Sequence, residues 1–219
     1  MIESLLRVEL HMHTRFSKDS LVRIPRLLEH CKKIGLDRIA ITDHNSIDGA
    51  LRAKQLAPDQ VIVGEEIETT QGELLGYFLE EWVPPGLEPL DAIRRLKAQG
   101  AVISLAHPFD TTRSQHWSKE SLTAILPHID AIETFNARCL TNVPNQNAAI
   151  FARKNALLET VGSDAHSLWE VGRATMQMSM FNDAASFRES LKTALQFTRL
   201  SPAVVHLFSR YAVFYKKLN

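Results

Sequence analysis

Two histidines separated by one residue stand at the end of an apolar segment near the start of the chain. Residues 8–19, V-E-L-H-M-H-T-R-F-S-K-D, place His11 and His13 at the end of a predicted strand and Asp19 six positions later. Side chains at positions i and i+2 of a strand point to the same side, so both imidazoles should project together. Two imidazoles with a nearby carboxylate suit zinc, manganese or iron. A surface histidine pair beside a solvated loop is the alternative for this segment alone.

Further strand-like segments end in residues of the same kind. Their terminal acids and histidines are His44 after residues 38–43, Glu66 within 61–68, His107 within 101–108, Glu133 within 129–136, and Asp164 and His166 within 158–166. A further predicted strand begins at Glu73, after a turn at Gln71-Gly72. Most of these segments are followed by a stretch with helical periodicity, and this alternation predicts an α/β fold with mostly parallel strands.

Two architectures fit this alternation, a small barrel and an open doubly wound sheet. In a barrel the carboxyl ends of all strands face one mouth, whereas in an open sheet only those at the switch point converge. A single ring would gather every terminal acid and histidine, so we predict a barrel, distorted at this length. Two final helices, at about 183–197 and 202–218, are expected to close it. G-x-G-x-x-G and P-loop motifs are missing, which argues against dinucleotide-binding and P-loop folds.

The composition is that of an ordinary globular protein. The 219 residues suit one domain spanning 1–219, and the formal net charge of zero gives no general case for a nucleic-acid or membrane partner. The sequence has no apolar run near the roughly 18 residues of a membrane span, and the N-terminal segment does not resemble a signal peptide. The two cysteines, Cys31 and Cys139, form no C-x-x-C pair. We therefore expect a cytoplasmic protein.

Together the motifs H-x-H-T-x-x-S-x-D, T-D-H, G-E-E-I, A-H-P and S-D-A-H resemble the PHP (polymerase and histidinol phosphatase) family of metal-dependent phosphoesterases. The resemblance covers residues 8 to about 175. It implies a distorted (β/α)7 TIM-like barrel that binds two or three divalent metals, Mn, Zn or Fe, at its top. It also implies a ligand set of His11, His13, Asp19, His44, Glu66, His107, Asp164 and His166. Glu73 stands where many members have a histidine, and Glu133 stands at a variable ligand position.

The predicted donors also indicate a reaction. Eight or nine donors exceed the four ligands of one zinc ion and suit several metals that share carboxylates. Such sites activate water and stabilise both oxygens of an in-line displacement, as in phosphoester hydrolysis. We expect Asp43 to orient a ligand, and His166 is a candidate proton donor. Arg138 and Arg173 are the first candidates for phosphate contact, ahead of Arg15 and Arg113.

These observations favour hydrolysis of a phosphate ester of a small metabolite or nucleotide. A 5′–3′ exonuclease acting on RNA or single-stranded DNA ends is an alternative that would make an oligonucleotide the partner. A metal-binding regulatory domain with little turnover is a second alternative. The many acids and imidazoles argue against it, because their mutual repulsion is costly unless metal offsets it. The final helix carries cations and no acids, which fits barrel closure and, alternatively, a nucleic-acid contact.

Overall fold

The strands of the protein form one sheet that curls into a nearly closed barrel. A computed structural model describes residues 5–113 and 116–218. The strands are β1 Leu6–Glu9, β2 Arg38–Ile41, β3 Val61–Glu68, β4 Glu73–Tyr77, β5 Val102–Leu105, β6 Ala131–Asn136, β7 Leu158–Gly162, β8 Ala174–Met178 and β9 Leu195–Thr198. The α-helices are α1 Ile24–Lys33, α2 Asp48–Leu56, α3 Pro89–Ala98, α4 Lys119–Ile125, α5 Val143–Lys154, α6 Ala184–Leu191 and α7 Val205–Leu218. The predicted distorted barrel is confirmed.

The ring closes where the segment after β1 meets the segment after β7. The order of the sheet is β7-β6-β5-β4-β3-β2-β1-β8-β9. The amide of Asp164 donates to the carbonyl of His11 at 2.8 Å, and the amide of His13 donates to the carbonyl of Ala165 at 2.9 Å. Closer to the N-terminus, β1 itself pairs along the same edge with β8. The two histidines of the first motif are therefore part of the closure itself.

The expectation of mostly parallel strands is wrong for β8, which runs antiparallel to β1 and β9, and for β4, which runs antiparallel to both of its neighbours. A tight turn causes this reversal: the amide of Thr69 donates to the carbonyl of Gly72 at 2.9 Å, and a turn this short can join only antiparallel strands. In the resulting register Glu68 lies opposite Glu73. The first residue of β4 consequently reaches the barrel mouth beside the last residue of β3.

The predicted helix over 183–197 is also wrong in its second half. Helix α6 ends at Leu191, and residues 195–198 form β9, an edge strand antiparallel to β8. Leu195 and Phe197 alternate with Gln196 and Thr198, which is a strand pattern. Pairing with β8 overrides any helical preference here. Helix α7 begins at Val205, close to the predicted position.

Two apolar layers hold the barrel together. The outer layer packs helix residues such as Leu27 and Leu96 against strand residues such as Ile39, and all three are fully buried. The inner layer joins residues of several strands, including Val8, with Phe187 of α6. Burial of apolar area on both faces of the sheet makes its backbone rigid, which suits it to position a site. Within the described residues, no helix has the length and hydropathy needed to cross a membrane.

Candidate metal centre

Four buried side chains converge at the place where the barrel closes. The carboxylate oxygen Oε2 of Glu66 lies 3.2 Å from Nε2 of His11 and 3.3 Å from Nε2 of His13. Oδ1 of Asp164 lies 3.1 Å from the same nitrogen of His13. These four atoms lie within 4.8 Å of one another, a spacing that one metal ion could span. Residues 8 to 19 thus supply half of this group, and two distant segments supply the rest.

A second group of donors lies beside the first. The ring of His13 is 4.5 Å from the ring of His44 and 4.2 Å from the ring of His166, measured between centroids. Oδ2 of Asp19 lies 3.0 Å from Nε2 of His166 and 3.6 Å from Nε2 of His44. Three imidazoles and one carboxylate therefore meet at the outer side of the mouth.

The reversed strand contributes a third group. Nε2 of His107 lies 2.9 Å from Oε1 of Glu66 and 3.4 Å from Oε2 of Glu73. The two oxygens of Glu66 thus face different groups, Oε1 toward His107 and Oε2 toward His11 and His13. A carboxylate in this position can bridge two metals. Glu68 joins His44 and Glu73 in another possible ligand group, although it also pairs with Lys18 at 2.6 Å.

The donor atoms themselves show that a cation fits this site. Several of them are buried and accept or donate no hydrogen bond among the described residues: His11 Nε2, His13 Nε2, His44 Nδ1, Asp19 Oδ1, Glu66 Oε2 and Asp164 Oδ1. A buried polar atom without a partner is costly, and several in one place require an explanation. Metal coordination would satisfy all of them at once. The residues present therefore fit the divalent metals that the sequence predicts.

The Nδ1 atoms of His13 and His166 are already hydrogen-bonded within the protein. Nδ1 of His13 lies 3.0 Å from the hydroxyl of Ser17, which itself donates to Asp43 at 2.8 Å. Nδ1 of His166 lies 2.8 Å from the carbonyl of Asp164, which can only accept. These contacts place a proton on Nδ1 of both rings and direct Nε2 toward the other donors, where Nε2 of His166 faces Asp19. Asp43 also accepts from the amide of Thr14 at 2.6 Å, so it holds the loop and lies outside the donor groups.

Electrostatics keep two of the donors, His13 and Asp164, in the forms that bind metal, whereas Glu66 raises the pKa of His11 and of His44 against the opposing effect of burial. Burial, together with His166 and His44, lowers the pKa of His13 to about 3, so its imidazole is neutral at pH 7. Burial alone would raise the pKa of Asp164, but Arg113 and His11 hold it well below its ordinary range. A neutral imidazole beside a charged carboxylate is the state that coordination requires.

The four candidate arginines lie in different surroundings. Arg113 reaches the site and donates from Nη2 to Asp164 at 2.6 Å. Arg138 is buried away from the donors, and its Nη2 donates to the hydroxyl of Ser209 on α7 at 2.7 Å. Arg173 donates to the carbonyl of Leu200 at 3.2 Å, and Arg15 is exposed beside the first loop. The structure thus brings Arg113 to the metal donors and leaves Arg138 and Arg173 outside their groups.

Glu133 and Asn136 lie beside the donors rather than among them. Glu133 accepts through Oε1 from Nδ1 of His11 at 2.8 Å and through Oε2 from the amide of His107 at 2.9 Å. Nδ2 of Asn136 donates to the same Oε2 at 3.0 Å and to Oδ2 of Asp164 at 3.2 Å. Sequence reasoning did not assign Asn136 a role, and its position near the end of β6 was the only available signal. Gly162 makes room here, because a Cβ at this residue would lie 2.6 Å from Oε1 of Glu133.

Comparison with known proteins places the barrel and its donors in a family. The family model described as the PHP domain matches residues 9–75, and one described as PHP-associated matches residues 142–194. An uncharacterized protein of Methanocaldococcus jannaschii is 37% identical over 180 residues, which cover 81% of this chain and 72% of the relative. A second uncharacterized protein of that organism is 37% identical over 117 residues, 48% of this chain and 68% of the relative. The chain belongs to the PHP family.

Solved structures share the fold at low sequence identity. PsfC from Pseudomonas syringae matches with a TM-score of 0.65 and 18% identity over 98% of this chain and 99% of its own. A Bifidobacterium adolescentis protein described as a metal-dependent phosphoesterase has a TM-score of 0.63 and 18% identity, covering 84% and 95%. An amidohydrolase from Chromobacterium violaceum has a TM-score of 0.59 and 14% identity, covering 93% and 96%. At these identities the likeness concerns the fold.

Proposed function

We propose that this protein is a metal-dependent phosphoesterase that hydrolyses a phosphate ester of a small metabolite or nucleotide. One observation carries the proposal: buried, unpartnered donor atoms from five strand ends and loops converge in adjoining groups. Membership of the PHP family and a structural neighbour described as a metal-dependent phosphoesterase support a metal-dependent hydrolase. A phosphate ester is the substrate that such clustered metals suit best.

The proposed roles of the side chains follow from their contacts. His11, His13, Glu66, Glu73, His107 and Asp164 would hold the inner metals, and Asp19, His44 and His166 would hold the outer one. Bound divalent metals supply a water nucleophile at neutral pH and neutralise charge on the phosphate oxygens. Among the donors, Asp19 has a side chain that is 18% exposed, so the outer group faces the solvent and the incoming substrate. His166, paired with Asp19, can hold a proton at Nε2 for the leaving alkoxide when that nitrogen is not coordinated.

We propose that Arg113, rather than Arg138, provides the positive charge that contacts the phosphate of the substrate. Its guanidinium pairs with Asp164 inside the site, so its charge lies at the metal donors. Such a cation positions the carboxylate and adds attraction for a phosphate.

The proposal also takes residues 1–219 as one PHP domain with a cytoplasmic location. Two buried free thiols, Cys31 and Cys139, support a reducing compartment.

The test combines elemental metal analysis with a hydrolysis panel. The panel contains an aryl phosphate, glycerol phosphate, nucleoside mono- and bisphosphates, and short single-stranded RNA and DNA, each with and without manganese. His13→Ala should lose bound metal and turnover together. His30→Ala, on the outer helix α1, is the matched control and should keep both.

Each outcome of the panel assigns a different function. Release of phosphate from small esters supports the proposal, whereas activity restricted to oligonucleotides would replace it with an exonuclease. Bound metal without turnover on any substrate would favour a regulatory domain. Wild-type turnover after complete metal removal would contradict every metal-dependent function.

A further inference from the structure

A cavity of about 390 Å³ lies beside the metal donors, beneath helix α7. We call it the α7 cavity. It is lined by Leu21, Val22, Arg23, Arg26, His166, Ser167, Leu168, Phe208, Tyr211 and Ala212. Its volume falls in the range of roughly 300–1,000 Å³ that is usual for small-molecule sites. The proposed function assigns it no role.

The α7 cavity and the metal centre share one residue. His166 lines the cavity, and its Nε2 also lies 3.0 Å from Oδ2 of Asp19. Its ring is 4.2 Å from the ring of His13. The cavity therefore adjoins the outer donors, and a phosphate ester bound there could place its leaving group in the cavity.

Helix α7 presents two aromatic rings to the cavity. Phe208 and Tyr211 are 42% and 60% exposed, although large aromatic side chains usually bury most of their area. Trp169 extends this aromatic surface, with its ring 6.3 Å from that of Phe208. Flat rings with open faces can bind another flat ring by stacking.

The face of α7 next to these two rings anchors the helix in this orientation. Val205, Ser209 and Ala212 are buried against the barrel, and Arg138 donates to the hydroxyl of Ser209 at 2.7 Å. Nζ of Lys216 donates to the carbonyl of Arg15 at 2.7 Å, next to the loop that carries Asp19. These contacts at both ends of α7 hold its aromatic residues at fixed positions above the cavity.

The charge of the lining favours an anionic ligand. Arg23 and Arg26 line the cavity, and no acidic side chain does so among the described residues. Arg26 pairs with Glu29 at the surface, but Arg23 has no ion pair in the part of the chain that the structure describes. The cavity thus combines an aromatic wall with a positive rim.

We propose that the α7 cavity binds a planar ring on the leaving group of the substrate, and that Phe208 and Tyr211 determine this specificity. The proposal rests on the proposed function, because the phosphate of the same ester would lie at the metal donors. A nucleobase and a simple aryl group share the required chemistry. The substrate class is therefore a ring-bearing phosphate ester rather than a sugar or glycerol phosphate.

The first experiment measures binding without turnover. Calorimetry gives the Kd of phenylphosphonate and of methylphosphonate for the metal-loaded protein, because neither compound can be hydrolysed as an ester. Wild type should bind phenylphosphonate about tenfold more tightly, a ratio within the range of one stacking contact. Phe208→Ala and Tyr211→Ala should reduce the ratio to about twofold or less. Phe214→Ala is the matched control, because Phe214 is 61% exposed on the same helix and does not line the cavity.

The second experiment uses turnover to separate this proposal from the proposed function. Tyr211→Ala should raise KM for 4-nitrophenyl phosphate or a nucleoside monophosphate about tenfold and change KM for glycerol phosphate less than twofold. The ester whose KM rises more in Tyr211→Ala shows whether the preferred ring is an aryl group or a nucleobase. An equal rise in KM for all esters in Tyr211→Ala would overturn the ring site while leaving the phosphoesterase proposal intact. Equal Kd values of the two phosphonates for the wild-type protein would have the same consequence. Failure of both phosphonates to bind and of all esters to react would overturn both proposals.

Discussion

Nδ1 of His11 lies 2.8 Å from Oε1 of Glu133, although 122 positions separate the two residues in the chain. A carboxylate can only accept here, so the proton of the imidazole is held on Nδ1 and Nε2 faces the other metal donors. The second oxygen of Glu133 is engaged by the amide of His107 and by Asn136. Glu133 therefore acts as a positioning residue for two ligands, and this role has measurable consequences.

Glu133→Gln should weaken metal binding by about 10- to 100-fold, the usual cost of changing an outer partner of a ligating histidine. The amide group would place donors where His11 or His107 already donates. Metal titration with circular dichroism would measure affinity and folding together. Glu159→Gln, on the neighbouring strand β7, is the control. Unchanged metal affinity in Glu133→Gln would contradict a positioning role.

Asp164→Asn should remove at least one metal per chain and lower turnover by more than the ~10- to 100-fold typical of outer-shell changes. Asp164 has a positive φ of 53°, which asparagine tolerates better than alanine does. The substitution therefore removes the charge without straining the backbone. Elemental analysis and steady-state kinetics would check it. Full metal content with normal turnover would exclude Asp164 from the ligand set.

Arg138→Met should destabilise the protein rather than impair substrate binding. Arg138 is 5% exposed, and its Nη1 lies 3.5 Å from the fully buried Glu170. Loss of one partner of a buried pair typically costs about 3–5 kcal/mol in the free energy of unfolding. Urea unfolding measures this loss. A normal unfolding midpoint with a raised KM would instead place Arg138 at the substrate.

Arg113→Met should impair turnover more than it lowers stability, in contrast to Arg138→Met. Arg113 is more exposed than Arg138 and pairs with Asp164 at the donors. We expect turnover to fall by about tenfold, the effect of roughly 1.4 kcal/mol, with a smaller change in stability. Kinetics at saturating metal would measure the effect. Equal kinetics for Arg113→Met and wild type would remove it from the site.

Glu73→His should shift metal preference toward zinc. Glu73 is grouped with Glu66 and His107, and an imidazole in its place would replace a hard oxygen donor with nitrogen. Competition between zinc and manganese, read by elemental analysis, should change by about tenfold. Glu81→His, in the exposed loop after β4, is the control. An unchanged zinc-to-manganese ratio would show that Glu73 does not reach a metal.

The predicted ring of donors depended on information that is local in the sequence. A buried strand followed by an acid or histidine is visible without any partner, and His11, His44 and Asp164 were all identified in this way. Parallel strands in a barrel bring their carboxyl ends together, so a list of strand ends was enough to predict the cluster. Glu73 stands at the start of its strand and was identified from the family resemblance instead, and the strand direction that brings it to the mouth was not predicted.

Other features depended on contacts between distant segments. The choice between Arg113 and Arg138 was decided by which loop reaches Asp164 and which side chain α7 covers. The pairing of Glu133 with His11 required β6 and the segment after β1 to meet inside the closed ring, and β9 formed because β8 offered an edge to residues 195–198.

The sequence by itself therefore determined the family, the barrel and the chemical nature of the donors, because residue type and periodicity are properties of each segment. Only the tertiary structure decided which oxygen, nitrogen or guanidinium lies at the metal centre and which positions the ligands through hydrogen bonds. Those assignments depend on distances of a few ångströms between residues far apart in the chain. Packing sets such distances, and no local pattern encodes them.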